Sequence, residues 1–406
     1  MTDPRSEARL LLALAAIQFV YVADFMVMSP LGPVLMRTFG IGPGEFGLLV
    51  SVYTFSAAAA GFLGALFVDR FDRRRVLLVL FGIYVAALLG AAFAPGYPML
   101  LAARALGGAA GGLMGATVYT VIADQIPEER RGAATGMVMS AFSLATIAGV
   151  PIGLLFAGWF GWHAPFFFVA AMAAVAWWNA RRVLPPMNAH LRERDADVHP
   201  VKAAFWPVLA VLRNPNHLRA YAFVVLLMFS AFMVIPFISL YMTGTVGITE
   251  QQLPLLYLVG GTATLITSRL VGRWSDRIGR RRMYRLLAIA SIVPLLLTTH
   301  LPPLPLWWAV AASTLFFVVV PARMIPAIAI ITSSAVPRLR GTFMSLNASV
   351  QSLSQAGAAY VGGAILVRTP DGRIEHYGVL GWLAVAATVA AIVWVEALHP
   401  GADPRD

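Results

Sequence analysis

Residues 272–282 read GRWSDRIGRRR, and residues 65–75 read ALFVDRFDRRR. Each is a short, strongly basic break that closes one long apolar run and opens the next. Working outward, a second pair of breaks appears, PEERRG at 127–132 and PRLRG at 337–341. Repetition of break and run at this scale means two related units of six runs each. The runs lie near 10–36, 45–68, 76–94, 98–123, 133–158, 163–183, 219–243, 253–271, 283–300, 305–333, 341–367 and 377–398. With 59% hydrophobic and 12% charged residues, and runs that match a ~30 Å hydrocarbon core, the sequence predicts an all-α membrane protein. Its twelve transmembrane helices form two pseudo-symmetric six-helix bundles.

The longest polar interruption follows span six and sets the domain expectation: a first bundle over 1–184, a cytoplasmic linker over 185–218 and a second bundle over 219–406. Within the linker, WPVLAVL predicts a short amphipathic helix on the membrane surface. The first run is too long for a signal peptide and no small-residue cleavage site follows it, so it reads as a span. Net charge is +11, which raises the question of nucleic acid. With the N-terminus placed inside, 24 of the 30 Lys and Arg residues fall in inner loops and tails and three, Arg37, Arg368 and Arg373, fall outside. That bias is the positive-inside rule, with both termini cytoplasmic, and it removes nucleic acid as a partner. The chain has no cysteine, hence neither disulfides nor thiolate metal sites.

On these residues the chain resembles the major facilitator superfamily, and within it the twelve-helix drug/proton antiporter and sugar-efflux-permease branch. The second break fits the family signature Gly-x-x-x-Asp-Arg-x-Gly-Arg-Arg through Gly272, Asp276, Arg277, Gly279 and Arg280. The first copy keeps Asp69, Arg70 and Arg73 but has Ala65 and Asp72 in place of the two glycines. RALGGAAGG from Arg104 resembles the fourth-helix motif, and AGVPIG, with Gly149, Pro151 and Gly153, the fifth-helix antiporter motif, Val150 replacing a glycine. The resemblance implies a bacterial-type inner-membrane carrier that works by alternating access around a cavity lined by spans one, four, seven and ten. It implies no cofactor or metal, and a single chain working with protons, lipid and a small-molecule substrate.

Elementary electrostatics agrees with a gating role for the repeated motif. An Asp at the inner end of one helix is attracted to the positively polarised N-terminus of another, so Asp69 and Asp276 are candidate latches. The alternative is that the neighbouring arginines only anchor the helices at the lipid surface. In span four, Arg104, Gly108, Gly111 and Gly115 share one face of low bulk, as do Ala141, Ala145, Gly149, Gly153 and Ala157 in span five. Such faces let helices approach closely, and Pro151 invites a bend.

Asp24 is the acid that needs explaining, because it lies inside the apolar run LLLALAAIQFVYVADFMVM. It is ~21 Å from the inner end of span one, leaving ~9 Å of the core outside it, and Arg104 lies ~9 Å from the outer end of span four. The two charges therefore share a depth. A lone charge there costs at least ~2.5–3.5 kcal/mol, so pairing or hydration is required. Either the pair is a permanent structural bridge, or the carboxyl exchanges a proton as its surroundings change, which is what coupling to a proton gradient requires.

The substrate cavity is expected to draw on Tyr21 and Met28 of span one, Tyr119 of span four, and Phe229, Phe232, Met233 and Phe237 of span seven. Asn347, Gln351 and Gln355 form an amide stripe on span eleven that lipid would penalise. Arg323, with Arg269 and Arg104, supports a second reading, a symporter or uniporter of an organic anion. A membrane-embedded enzyme is disfavoured because no His lies mid-span and no paired acids or metal ligands occur there. A channel would show filter loops or rings of like charge instead.

Overall fold

In hydrocarbon every backbone amide must find its partner within the protein, which leaves a chain of long apolar runs little choice but helix. The computed structural model describes residues 4–64, 71–188 and 200–401. Ten helices among them are long and apolar enough to cross a membrane. In order they are α1 (Pro4–Phe39), α2 (Pro43–Gly64), α3 (Arg73–Ala92), α4 (Tyr97–Gln125), α5 (Arg130–Phe160), α7 (Pro215–Val246), α8 (Glu250–Ile278), α9 (Arg280–Thr299), α10 (Leu306–Ser333) and α12 (Tyr377–Ala397). Two further long helices occupy the remaining expected spans, α6 (Ala164–Val183) and α11 (Arg340–Ile365). Both are more polar. The first ends in Asn179, Arg181 and Arg182, and the second carries the Asn347, Gln351 and Gln355 stripe.

Boundaries agree with the sequence reading to within a few residues, except at the basic breaks. There α8 continues through Asp276 and Arg277 to Ile278, and α9 begins at Arg280. The break is one residue, Gly279, whose φ of +95° is left-handed territory that a side chain would strain. The first-half copy loses Asp69 and Arg70 from view, since both lie outside the described residues. Beyond them, Asp72 caps α3 by accepting from the Arg74 amide at 2.7 Å.

Close contacts group Met1–Met28 with Val52–Ala204 as one unit, and Ser29–Ser51 with Phe205–Asp406 as another. In the first, α3 packs on α4 and α6. In the second, α7 packs on α11 and α12, and α8 on α10. The first part of α2 joins this second unit through backbone-close contact: a Cβ on Gly47 would meet the Ala359 carbonyl at 2.8 Å and Gly363 Cα at 2.9 Å. Arg37 at the end of α1 forms a bidentate ion pair with Glu250 at the start of α8, 2.7 and 3.0 Å. The linker forms a helix at Pro200–Arg213, where an amphipathic segment was expected. An antiparallel pair, Val367–Arg368 with Ile374–Glu375, is a small β element that the sequence reading did not anticipate.

Candidate functional site

Asp24 reaches the interior of the first unit because α1 is apolar on every side at that depth and offers the carboxylate no solvent. Its side chain is 1% exposed and that of Arg104 3%. Arg104 Nη1 donates to Asp24 Oδ1 at 2.7 Å, and the Tyr84 hydroxyl donates to Oδ2 at 2.7 Å. Charge-assisted bonds of this length are the strong ones. The Arg104 guanidinium also lies over the Tyr53 ring, 4.0 Å from its centroid, where the ring's negative face attracts a desolvated cation. Tyr53 and Tyr84 approach hydroxyl to hydroxyl at 3.4 Å, and Tyr21 stacks beside Tyr53 with centroids 6.2 Å apart. Four helices thus supply one cluster: α1 the acid and Tyr21, α2 Tyr53, α3 Tyr84 and α4 the guanidinium.

Glycines make this convergence possible. A Cβ on Gly108 would collide with the Tyr53 carbonyl, one on Gly111 would meet the Tyr21 ring at 2.7 Å, and one on Gly112 would meet Ala57 Cα at 2.7 Å. The fifth-helix motif does similar work from the other side. Gly149 lies against Ala23 and Gly153 against Val27, the residues flanking Asp24 on α1. Pro151 is buried just beyond a π turn at Ala145–Gly149, a local widening of α5.

The sequence brought Asp24 and Arg104 together, and the geometry does the same. It missed Tyr53 and Tyr84, both fully buried. Tyr84→Phe keeps the ring and removes the hydrogen bond to Asp24. The expected loss is ~1.5–3 kcal/mol of stability, read by thermal unfolding in detergent. Unchanged stability would mean that water replaces the phenol.

The other expected residues fall in several places. Met28, Met233 and Phe237 are buried, with the Phe237 ring packed onto Gly362, while Tyr119 is 37% exposed. Tyr21, Phe229 and Phe232 are half-buried. On α11, Asn347 is buried and Gln355 donates to the Met228 sulfur at 3.5 Å. Gln351 is half-buried. In the signature, Arg73 pairs with Asp124 of α4 at 2.6 Å, whereas Asp276, Arg277, Gly279 and Arg280 are exposed and Gly272 is half-buried.

Arg269 is exposed, but Arg323 is not. It is 1% exposed and its guanidinium is held by hydroxyls alone: Thr388 at 2.8 Å, Ser230 at 2.9 Å and Ser291 at 3.3 Å. Its charge has no carboxylate partner among the described residues.

Comparison with known proteins follows the same outline. The chain is 27% identical over 275 residues, 68% of its length and 67% of the relative's, to a chloramphenicol resistance protein of Streptomyces lividans. It is 23% identical over 383 residues, 93% of each chain, to multidrug resistance protein 2 of Bacillus subtilis. Among solved structures, a D-xylose-proton symporter superposes with a TM-score of 0.77 at 16% identity, covering 97% of this chain and 98% of that one, which shows a shared fold. The sequence profile of the Major Facilitator Superfamily matches residues 14–359 and again 220–405. With twelve long helices among the described residues, the repeated basic breaks and these matches, the chain belongs to the Major Facilitator Superfamily and is a multi-pass membrane transporter, not an enzyme.

Proposed function

We propose that this transporter is a proton-coupled antiporter that expels small organic molecules by alternating access. The observation that carries the reading is the Asp24 carboxylate, buried at membrane depth and shared by Arg104 and Tyr84. Such an acid has two stable electrical states. Ionised, it is neutralised by the guanidinium; protonated, it releases that guanidinium to the ring of Tyr53 or to water. A switch of this kind couples proton occupancy to helix positions, because Arg104 is tied to α4 and Asp24 to α1. The relatives named for chloramphenicol and multidrug resistance favour efflux of apolar or weakly polar compounds.

In this reading residues 1–184 and 219–406 are the two moving bundles and 185–218 joins them. The protein works as a monomer in the cytoplasmic membrane with both termini inside. Tyr21, Met28, Tyr119 and the α7 aromatics contact substrate, and Asp69 and Asp276 act at the inner gate. The organic-anion alternative, which uses Arg104, Arg269 and Arg323, has less support, since Arg104 is already neutralised, Arg269 is exposed and the buried Arg323 is engaged by three hydroxyls.

Proteoliposomes with an acidic lumen test the proposal, using chloramphenicol as an uncharged first probe. Protein-dependent accumulation in the acidic lumen, abolished by a protonophore, is the antiport result. Accumulation in the alkaline compartment, or indifference to the gradient, would reject it. For the gate, Asp276→Asn removes an attraction to a helix N-terminus of order ~1 kcal/mol. Turnover should fall about fivefold with the protein still correctly inserted; unchanged turnover would remove Asp276 from the mechanism.

A further inference from the structure

We infer that the groove between the start of α3 and the end of α6 binds an anionic phospholipid, its phosphate on arginines and one acyl chain along the helices. The groove has a volume of about 400 Å³, and Arg74, Arg75 and Arg181 stand at one end while Leu78, Val79 and Trp177 line the rest. The ends of α3 and α6 that meet here belong to membrane-crossing helices, so the basic rim lies where headgroups lie and the apolar part continues into the acyl region. Val79 is 54% exposed and faces outward.

The site is built rather than accidental. Trp177 Nε1 donates to the Leu78 carbonyl at 2.8 Å, which fixes the indole as one wall. Arg74 Nη2 donates to the Arg181 carbonyl at 2.8 Å, tying the two helix ends together and leaving Arg75 and Arg181 as the exposed cations. Gly82 keeps the floor low: a Cβ there would touch only the Trp177 ring, at 3.6 Å. The carboxylate at the rim, Asp72, is turned inward, where its Oδ1 accepts from the Arg74 amide at 2.7 Å and the Met187 amide at 3.3 Å. Among the described residues that line the groove, three guanidiniums against one engaged carboxylate favour an anion.

A free phosphate would gain nothing from Leu78, Val79 and Trp177, whereas a phosphodiester carrying acyl chains satisfies both ends of the groove. A zwitterionic headgroup would bring its ammonium up to the arginines. The repeat-related place in the second unit differs. There Arg280, Arg281 and Arg282 border a pocket of about 310 Å³ with Ser333, Ser334 and His399, and Arg281 donates to the Leu398 carbonyl. Polar side chains and the C-terminal segment take the place of the apolar wall, so lipid selectivity is expected at the α3 groove.

Native mass spectrometry of the purified full chain tests this. Phosphatidylglycerol and phosphatidylcholine with the same acyl chains are added in equal amounts, and inorganic phosphate is added in a separate arm. Wild type should retain phosphatidylglycerol roughly tenfold over phosphatidylcholine or more, given two exposed arginines. Arg75→Gln with Arg181→Gln should lose the preference, and Gly82→Leu should lose retention by filling the groove. Arg280→Gln with Arg282→Gln should keep it. Equal retention of the two lipids by wild type, an equal effect from the α9 arginines, or displacement of the lipid by phosphate alone would each overturn the proposal. Retention is read without any transport, so a negative result here leaves proton-coupled efflux standing.

Discussion

Asn in place of Asp24 is expected to give a protein that folds and binds substrate but no longer drives it with a proton gradient. The amide has the shape of the carboxyl, with its one oxygen accepting from Arg104 and its NH2 turned to the Tyr84 oxygen, yet it cannot take up a proton. Arg104, 3% exposed, keeps its charge and loses its counter-ion. Breaking a buried pair on one side costs ~3–5 kcal/mol, and the Tyr53 ring beneath the guanidinium holds the loss near the lower figure. Asp24→Asn should therefore be less thermostable than wild type, and adding Arg104→Gln should restore most of the difference. The functional measurement is proton release on adding substrate to detergent-solubilised protein at several pH values. Release equal to that of wild type would show that Asp24 is structural and that any coupling proton travels elsewhere.

Arg104→Ala attacks the same pair from the other end and should behave differently. It leaves the buried Asp24 carboxylate with the Tyr84 donor and without its counter-ion. Efflux at neutral pH should fall at least roughly tenfold, the equivalent of ~1.4 kcal/mol, and its pH profile should change. An unchanged pH profile would disconnect the arginine from proton handling.

Much of this was legible because the bilayer punishes exceptions. Asp24 stood out as an acid in an apolar run, and counting rises along α1 and α4 placed Arg104 at its depth without any knowledge of contacts. The glycine face of α4 announced a close neighbour. What stayed hidden depended on groups the membrane tolerates in many roles. Tyr53 and Tyr84 read as ordinary aromatics, because only the positions of their hydroxyls, set by helix rotation, make them part of the acid's environment. The hydroxyls of Ser230, Ser291 and Thr388 were unremarkable for the same reason, and nothing in composition announces the π turn in α5. The assignment of residues 29–51 to the second unit is also a property of contacts, carried by Gly47 and Gly363, glycines with no pattern of their own.

The hydroxyl cage around Arg323 has an electrical consequence. A positive charge held between Leu306 and Ser333 by Ser230, Ser291 and Thr388 sits inside the voltage drop of an energised membrane. A full crossing of that drop is worth ~2.3 kcal/mol per 100 mV, so carrying the guanidinium through a tenth of the field shifts a conformational equilibrium by ~0.2 kcal/mol. Because no carboxylate among the described residues pairs with it, that displacement is not cancelled. Substrate-free protein should then show a small capacitive current on a voltage step, and Arg323→Gln should shrink it.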